Sequence, residues 1–552
     1  MPFIHRLAPA VPVVVLAALA ITACARKEPA ASAQVDAPPA AAATDVAHGE
    51  PGVHRPPGIA WFDGDVDAAF AAAKSASKPL FLYWGAEWCP PCAQIKSTIF
   101  NRREFQERSR LFVPVYLDGD TPSAQKQGER FGVVGYPTMI LFRPDGTEIT
   151  RLPGSVGVER YGKILDVALA DARPVKEILA AATKGDELSG NDWQLLAFYS
   201  WGSDNGRLVP AEERIATFRK LSQRCPAEMS ADCARLYFQY LLAASKSADD
   251  GKSPLTGLER AADRKHLLEL LESPAVGRAN VDYLLYGQKD AIGLLSDAGS
   301  PERKALVQAW SAALDRLGSD AALPLSAPEQ LSLLRARVLL AQLDAPDAPL
   351  PAALLGQIRT TVARVDAETS DPYARQAAVN AAAGVYWEAG LNDDANRLLV
   401  AELEKSKSPY YFMLDLAELA EKAGQKDEAV TWLAKAYEGA KGPATRFQWG
   451  TSYLFGLIEM TPENSAAIQK VGLEVLGELD DSPDAFYQRT RLRLEQLSTK
   501  LLEWGTTGDR SKVIDTLRDR TGEICRAMPE GDEGRPTCES FLKPAAPASQ
   551  RA

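Results

Sequence analysis

The chain has 552 residues, 46% apolar and 24% charged, with 62 Lys and Arg against 73 Asp and Glu and a net charge of −11. These proportions belong to globular domains, three or four of them on length, and exclude a wholly disordered chain. The acidic balance argues against a nucleic-acid partner, because neutralising phosphates needs a basic face. Four histidines, His5, His48, His54 and His266, match no metal-ligand spacing. With no glycine-rich phosphate loop and no metalloprotease helix, the sequence speaks against nucleotide hydrolysis and zinc chemistry.

Met1–Arg6 is short and weakly basic, and Leu7–Ala20 is apolar and uncharged but carries Pro9 and Pro12. Too short to span a membrane, it reads as a signal-peptide core. It ends Ile21-Thr22-Ala23-Cys24, which resembles the lipobox of bacterial lipoproteins. That resemblance implies cleavage after residue 23, lipid on Cys24 and a cell-envelope location facing the periplasm. Ala25 stands where an Asp often retains such proteins in the inner membrane, so the outer membrane is favoured. Residues 24–58 are Ala- and Pro-rich and bury too little to fold. They form a tether with a reach of roughly 30 Å.

Six of the seven cysteines remain, in three close pairs, which in an oxidising compartment suggests disulfides. Cys225–Cys233 and Cys525–Cys538 each flank a turn-like stretch and read as local structural bridges; cross-pairing between the two regions is the alternative. Cys89 and Cys92 differ. They stand in Trp88-Cys89-Pro90-Pro91-Cys92, after the apolar run Leu80–Trp84, which suits a strand buried on both faces. Ala93–Phe100 follows with helical spacing. A thiol at a strand-to-helix junction feels unpaired backbone N–H groups and the helix dipole, which lower its pKa. A second thiol one turn on can close the ring and release a mixed disulfide. A purely structural disulfide is the alternative; half a zinc site lacks a second Cys pair.

Leu111–Leu117 predicts a second strand, with Pro114 placing it toward the sheet edge, so that a strand near Ile59–Phe62 is short or absent. Thr121-Pro122 starts a helix reaching about Phe131. Met139–Phe142 and Thr147–Arg151 predict strands around the turn Pro144-Asp145-Gly146. Ser155 is expected to cap a last helix with Tyr161, Ile164, Leu165 and Ala168 on one face.

Residues 59–172 thereby resemble the thioredoxin family, on Trp-Cys-x-x-Cys after an apolar strand and on Gly135-Tyr136-Pro137-Thr138 about 45 residues later. The lead-in from Asp63 to Lys78 is similar to that of the DsbD C-terminal domain and its lipoprotein relatives. The resemblance implies an α/β fold with a central mixed sheet flanked by helices. It implies Cys89 as attacking, accessible thiol, Cys92 as buried, resolving thiol, and Pro137 in the cis form. It assigns Trp88, Tyr136 and Pro137 to client binding, with the Tyr136 backbone offered as in strand addition. It implies protein thiol and disulfide clients, an inner-membrane thiol as electron donor, and no cofactor beyond the protein's own disulfide. Two positions depart from the family: Tyr83 replaces a buried Asp, and Pro114 its Lys partner. Glu87 and Lys96 read as solvated surface.

Residues 173–545 carry no convincing strand pattern and are expected to be helical, with 546–552 as a tail. Gly390, Ala395 and Leu399 recur 34 positions on as Gly424, Ala429 and Leu433. This echo near 380–438 resembles the tetratricopeptide repeat. The large aromatics of this region, among them Trp193, Tyr199, Trp201, Trp310 and Trp449, read as core. Two functions follow: a membrane-tethered thiol–disulfide oxidoreductase whose helical region recruits clients or partners, or an interaction protein that uses the thioredoxin domain as a docking module or redox switch.

Overall fold

The computed structural model describes residues 55–543, apart from 155, 249–252, 323, 481–482 and 507. The leader, Cys24, most of the tether, the Ser155 cap and the tail lie outside them. Helix α1 (Val66–Ala76) begins where the Asp65 carboxylate accepts the Ala68 N–H, and ends at Ser77, whose φ is 52°. Strand β1 (Leu80–Gly85) is buried throughout. It leads into α2 (Pro90–Ile95), extended by a π-helical turn over Lys96–Phe100, then α3 (Arg103–Arg108) and β2 (Val113–Asp118). Helix α4 (Pro122–Arg130) starts on a Thr121 side-chain cap with Pro at its first position. Strands β3 (Thr138–Phe142) and β4 (Glu148–Leu152) form the hairpin before α5 (Val158–Leu169), whose N-cap is Gly157.

The sheet runs β2-β1-β3-β4, with β1 and β2 parallel and the other pairs antiparallel. Pro114 therefore sits on an edge strand, where its missing N–H costs no inner ladder bond. No strand forms at 59–62; Phe62 N–H donates to the Pro114 carbonyl instead, at 2.7 Å. Alternation along β1 separates two apolar layers. Leu80, Leu82 and Trp84 pack with α1 and α4 residues. Phe81 and Tyr83 face α2, α3 and α5 in a core that continues without interruption into the helical region as far as Leu340.

The helical region contains α6 (Val175–Lys184), α7 (Gly190–Phe198), α8 (Arg214–Arg224), α9 (Ser230–Lys246), α10 (Gly257–Glu272), α11 (Pro274–Ala279), α12 (Val281–Tyr286) and α13 (Gln288–Leu295). It continues with α14 (Pro301–Gly318), α15 (Ala327–Ala341), α16 (Ala352–Glu368), α17 (Pro372–Glu388), α18 (Asn392–Glu402) and α19 (Pro409–Lys422). The last six are α20 (Lys426–Gly439), α21 (Pro443–Met460), α22 (Ser465–Gly477), α23 (Gln488–Trp504), α24 (Asp509–Ala527) and α25 (Arg535–Ser540). Gly390 and Gly424 close the turns after α17 and α19 with φ of 70° and 76°, values that favour glycine. Ala395 and Ala429 are fully buried where the paired helices meet. Cys225 pairs with Cys233, tying α8 to α9, and Cys525 pairs with Cys538, tying α24 to α25. The array leaves the sheet beside β4 and returns to it: α17 packs on α2, and α21 and α23 pack on α4.

Candidate active site

Cys89 is the N-cap of α2, with extended backbone, and Pro90 and Pro91 fill the first two helical positions. Neither proline has an N–H, so Cys92 supplies the first side-chain-directed donor of this helix end. It donates to Cys89 Sγ at 3.1 Å. The Pro-Pro pair thus concentrates the helix N-terminus on one sulfur. Cys89 and Cys92 are joined as a disulfide. Tyr136-Pro137 is a cis peptide, and Tyr136 packs with Ala86, Trp88 and both cysteines. The Tyr136 hydroxyl donates to the Gly119 carbonyl at 2.9 Å and accepts from Gln125. Trp88, Tyr136, Pro137 and the two cysteines thus converge on one end of the sheet.

That end is covered. Cys89 is 3% exposed and Cys92 0%, so Cys89 is not the accessible thiol expected from sequence. The reason is tertiary. The Trp88 indole N–H donates to Asp120 at 2.9 Å and to Thr445 of α21 at 3.0 Å. Its ring meets Trp449 of α21 edge-on at 4.8 Å and stacks on Tyr411 of α19 at 6.1 Å. Gln376 of α17 donates to the Trp88 carbonyl. Arg489 of α23 lies over the rings of Trp88 and Tyr136, at 5.3 and 4.9 Å, and donates to the Gly119 carbonyl at 3.3 Å. Trp449 is core as read from sequence, yet it also forms a wall of the site.

Lys96 corrects a second reading. It is 1% exposed, not solvated. The α2 register puts it one turn beyond Cys92, with its backbone N–H on the Cys92 carbonyl. Its ammonium donates to the Tyr116 hydroxyl at 3.2 Å and lies 5.1 Å from the ring centre of Tyr373 on α17. Burial pulls its pKa down to about 8, against the pull of Asp118, Glu87 and Asp120 and with the push of Lys407. Glu87 is half-buried. Burial, then the Asp118 charge, hold the Asp120 carboxyl well above the usual carboxylate range, while Arg489 and the Trp88 indole oppose the shift. Tyr83 occupies the position of the family's buried acid. Its hydroxyl has no hydrogen-bond partner among the described residues, and burial drives its pKa well up.

Asp120, Gln376, Thr445, Trp449 and Arg489 carry no motif and were not legible as site residues. The 92-to-96 spacing was the available sign that Lys96 shares the buried face of Cys92. Among the described residues no group of three or more His, Cys, Asp or Glu is placed to hold a metal ion, and no helix is long and apolar enough to cross a membrane.

A four-stranded mixed sheet, a Cys-x-x-Cys pair opening a helix and a facing cis-proline define a thioredoxin-fold dithiol protein. Residues 66–169 match the thioredoxin-like domain family. The chain is 32% identical over 82 residues to the thioredoxin of Mycolicibacterium smegmatis, covering 15% of this chain and 70% of that protein. On these matches it belongs to the thioredoxin family. It is 31% identical over 85 residues to thiol:disulfide interchange protein DsbD 1 of Pseudomonas aeruginosa, covering 15% of this chain and 14% of DsbD 1. It is 36% identical over 81 residues to the mitochondrial thioredoxin-2 of Schizosaccharomyces pombe, covering 15% and 56%. The chain therefore spans only part of the length of these last two relatives.

Proposed function

We propose that this chain is a thiol–disulfide oxidoreductase acting on protein disulfides through Cys89 and Cys92. The observation that carries the reading is the donor-focused Cys89 sulfur packed with Cys92, Trp88 and Tyr136. In the reducing direction the Cys89 thiolate attacks a client disulfide and expels one client sulfur. Cys92 then attacks Cys89, closing the enzyme disulfide and freeing the second client sulfur. Two electrons pass from the enzyme dithiol to the client. In the same reading Cys24 carries the lipid anchor, residues 24–58 hold the protein off an outer membrane facing the periplasm, and an inner-membrane thiol resupplies electrons. The helix pairs α17–α18 and α19–α20 act as tetratricopeptide-like units that help choose clients.

The covered face supports a second reading, in which the thioredoxin domain docks on its own helices and its disulfide is a switch. Turnover separates the two. The full-length protein should catalyse insulin reduction by dithiothreitol, and Cys89→Ser should abolish it. Cys92→Ala should accumulate mixed disulfides with client proteins. Stoichiometric reduction without turnover would favour the switch.

A further inference from the structure

The exchange reaction needs a proton taken from Cys92, and Cys92 is fully buried. The elements packed around α2 supply candidate acceptors. These present Tyr83 of β1, Tyr116 and Asp118 of β2, Asp120 beyond it, Glu87 before α2, Tyr373 of α17 and Lys407 before α19. Burial holds both strand tyrosines protonated far above neutrality. Asp120 is already engaged by Trp88 and Thr445. Lys96 remains. It lies on the same helix face as Cys92, one turn away, and side chains so spaced have Cβ atoms about 5–6 Å apart. Its amine is held by one hydroxyl, that of Tyr116, between two aromatic rings.

We propose that Lys96 is the buried proton carrier of Cys92, the general base and acid for resolution of the mixed disulfide. The proposal rests on the oxidoreductase reading above. With client sulfur joined to Cys89, the neutral Lys96 amine accepts the Cys92 thiol proton and becomes an ammonium. The Cys92 thiolate attacks Cys89 Sγ; the Cys89–Cys92 bond forms and the Cys89–client bond breaks. The bonding pair leaves on the client sulfur, which takes the proton back from Lys96. The proton that Cys89 gave to solvent at the first step returns from solvent to the first client sulfur. The enzyme dithiol is oxidised by two electrons, the client disulfide is reduced to two thiols, and Lys96 ends as it began. The ring of Tyr373 makes the helical region part of this pocket.

The test uses full-length protein. The Cys89 mixed disulfide with thionitrobenzoate is formed at pH 4 and jumped to pH 5–10, and release of the coloured thiolate reports the Cys92 attack. Wild-type release should rise through an inflection near the Lys96 value of about 8. Lys96→Met should slow release at pH 8 at least tenfold and remove that inflection. Lys96→Arg, which keeps charge but does not give up its proton, should fail to restore it. A purely structural role would leave the pH profile unmoved. Release from Lys96→Met with the wild-type rate and profile overturns the assignment while leaving the oxidoreductase reading intact. No release from wild type at any pH overturns both. Should Lys96→Met not fold, a wild-type profile without an inflection between pH 7 and 9 is sufficient to reject Lys96.

Discussion

Arg489 is the side chain of the cover that touches most of the site, and Arg489→Met is the sharpest way to loosen it. The arginine contributes two cation–ring contacts, at 5.3 and 4.9 Å, a hydrogen bond to Gly119 and an ion pair with Asp120 at 3.8 Å. Partly desolvated cation–ring contacts are worth about 0.5–2 kcal/mol each. A hydrogen bond from a charged group adds about 1.5 kcal/mol, less at 3.3 Å. Against this, Arg489 Nε and Nη1 are buried without partners, and Arg489 repels Arg493. Methionine removes both penalties, so the net loss should be about 2 kcal/mol. If glutathione reaches the Cys89–Cys92 disulfide only when the cover opens, and opening is fast, the reduction rate follows the open population. About 2 kcal/mol then means roughly thirtyfold faster reduction, at about tenfold for each 1.4 kcal/mol. Acid-quenched samples read by mass spectrometry of the 89–92 peptide give the rate. The control is Arg103→Met, a substitution in a side chain 86% exposed and remote from the cover, which should change nothing. An unchanged rate in Arg489→Met, or a wild-type disulfide reduced as fast in folded as in denatured protein, would refute the cover as the barrier.

Lys96→Met should also stabilise the protein in a pH-dependent way. The folded state lowers the Lys96 pKa from 10.5 to about 8. Below pH 8 both folded and unfolded chains carry the proton, and the buried charge costs about 3 kcal/mol at 1.36 kcal/mol per pH unit. Between pH 8 and 10.5 the unfolded chain holds the proton and the folded chain does not, so wild-type stability rises with pH. Denaturant titrations should show the variant ahead by that margin at pH 7 and level with wild type near pH 10.5. Replacing Cys225 and Cys233, or Cys525 and Cys538, by Ser should lower stability by about 2.5–3 kcal/mol on loop-closure entropy and leave insulin reduction unchanged. Cys24→Ser should move the protein from membranes to the soluble fraction; continued flotation with membranes would rule out the lipid anchor. Gly424→Val, at φ 76°, should cost about 1–3 kcal/mol by straining the turn between α19 and α20, seen as a lower melting temperature.

What the sequence determined by itself is local. The run Leu80–Trp84, the thiols at the following junction and the Gly-Tyr-Pro-Thr segment specify strand, helix start and cis-proline loop through short-range rules, and each was legible. Pro114 pointed to an edge strand because one missing N–H is felt within a single ladder. The 34-residue echo marked the turns at Gly390 and Gly424 because a left-handed residue leaves a compositional trace. What tertiary structure decided is exposure. Cys89 stands at a position that by local rules faces solvent, and α17, α19, α21 and α23 close over Trp88 beside it. Lys96 looks like any surface lysine until Tyr373 closes over it. Trp88, Thr445, Trp449 and Arg489 meet only because the helical array returns to the end of the sheet from which the active site opens. Hydrophobic periodicity reports that a side chain is covered, but it carries no information about which distant surface covers it. Here that distant surface lies against Trp88 and Tyr136, beside the sulfur.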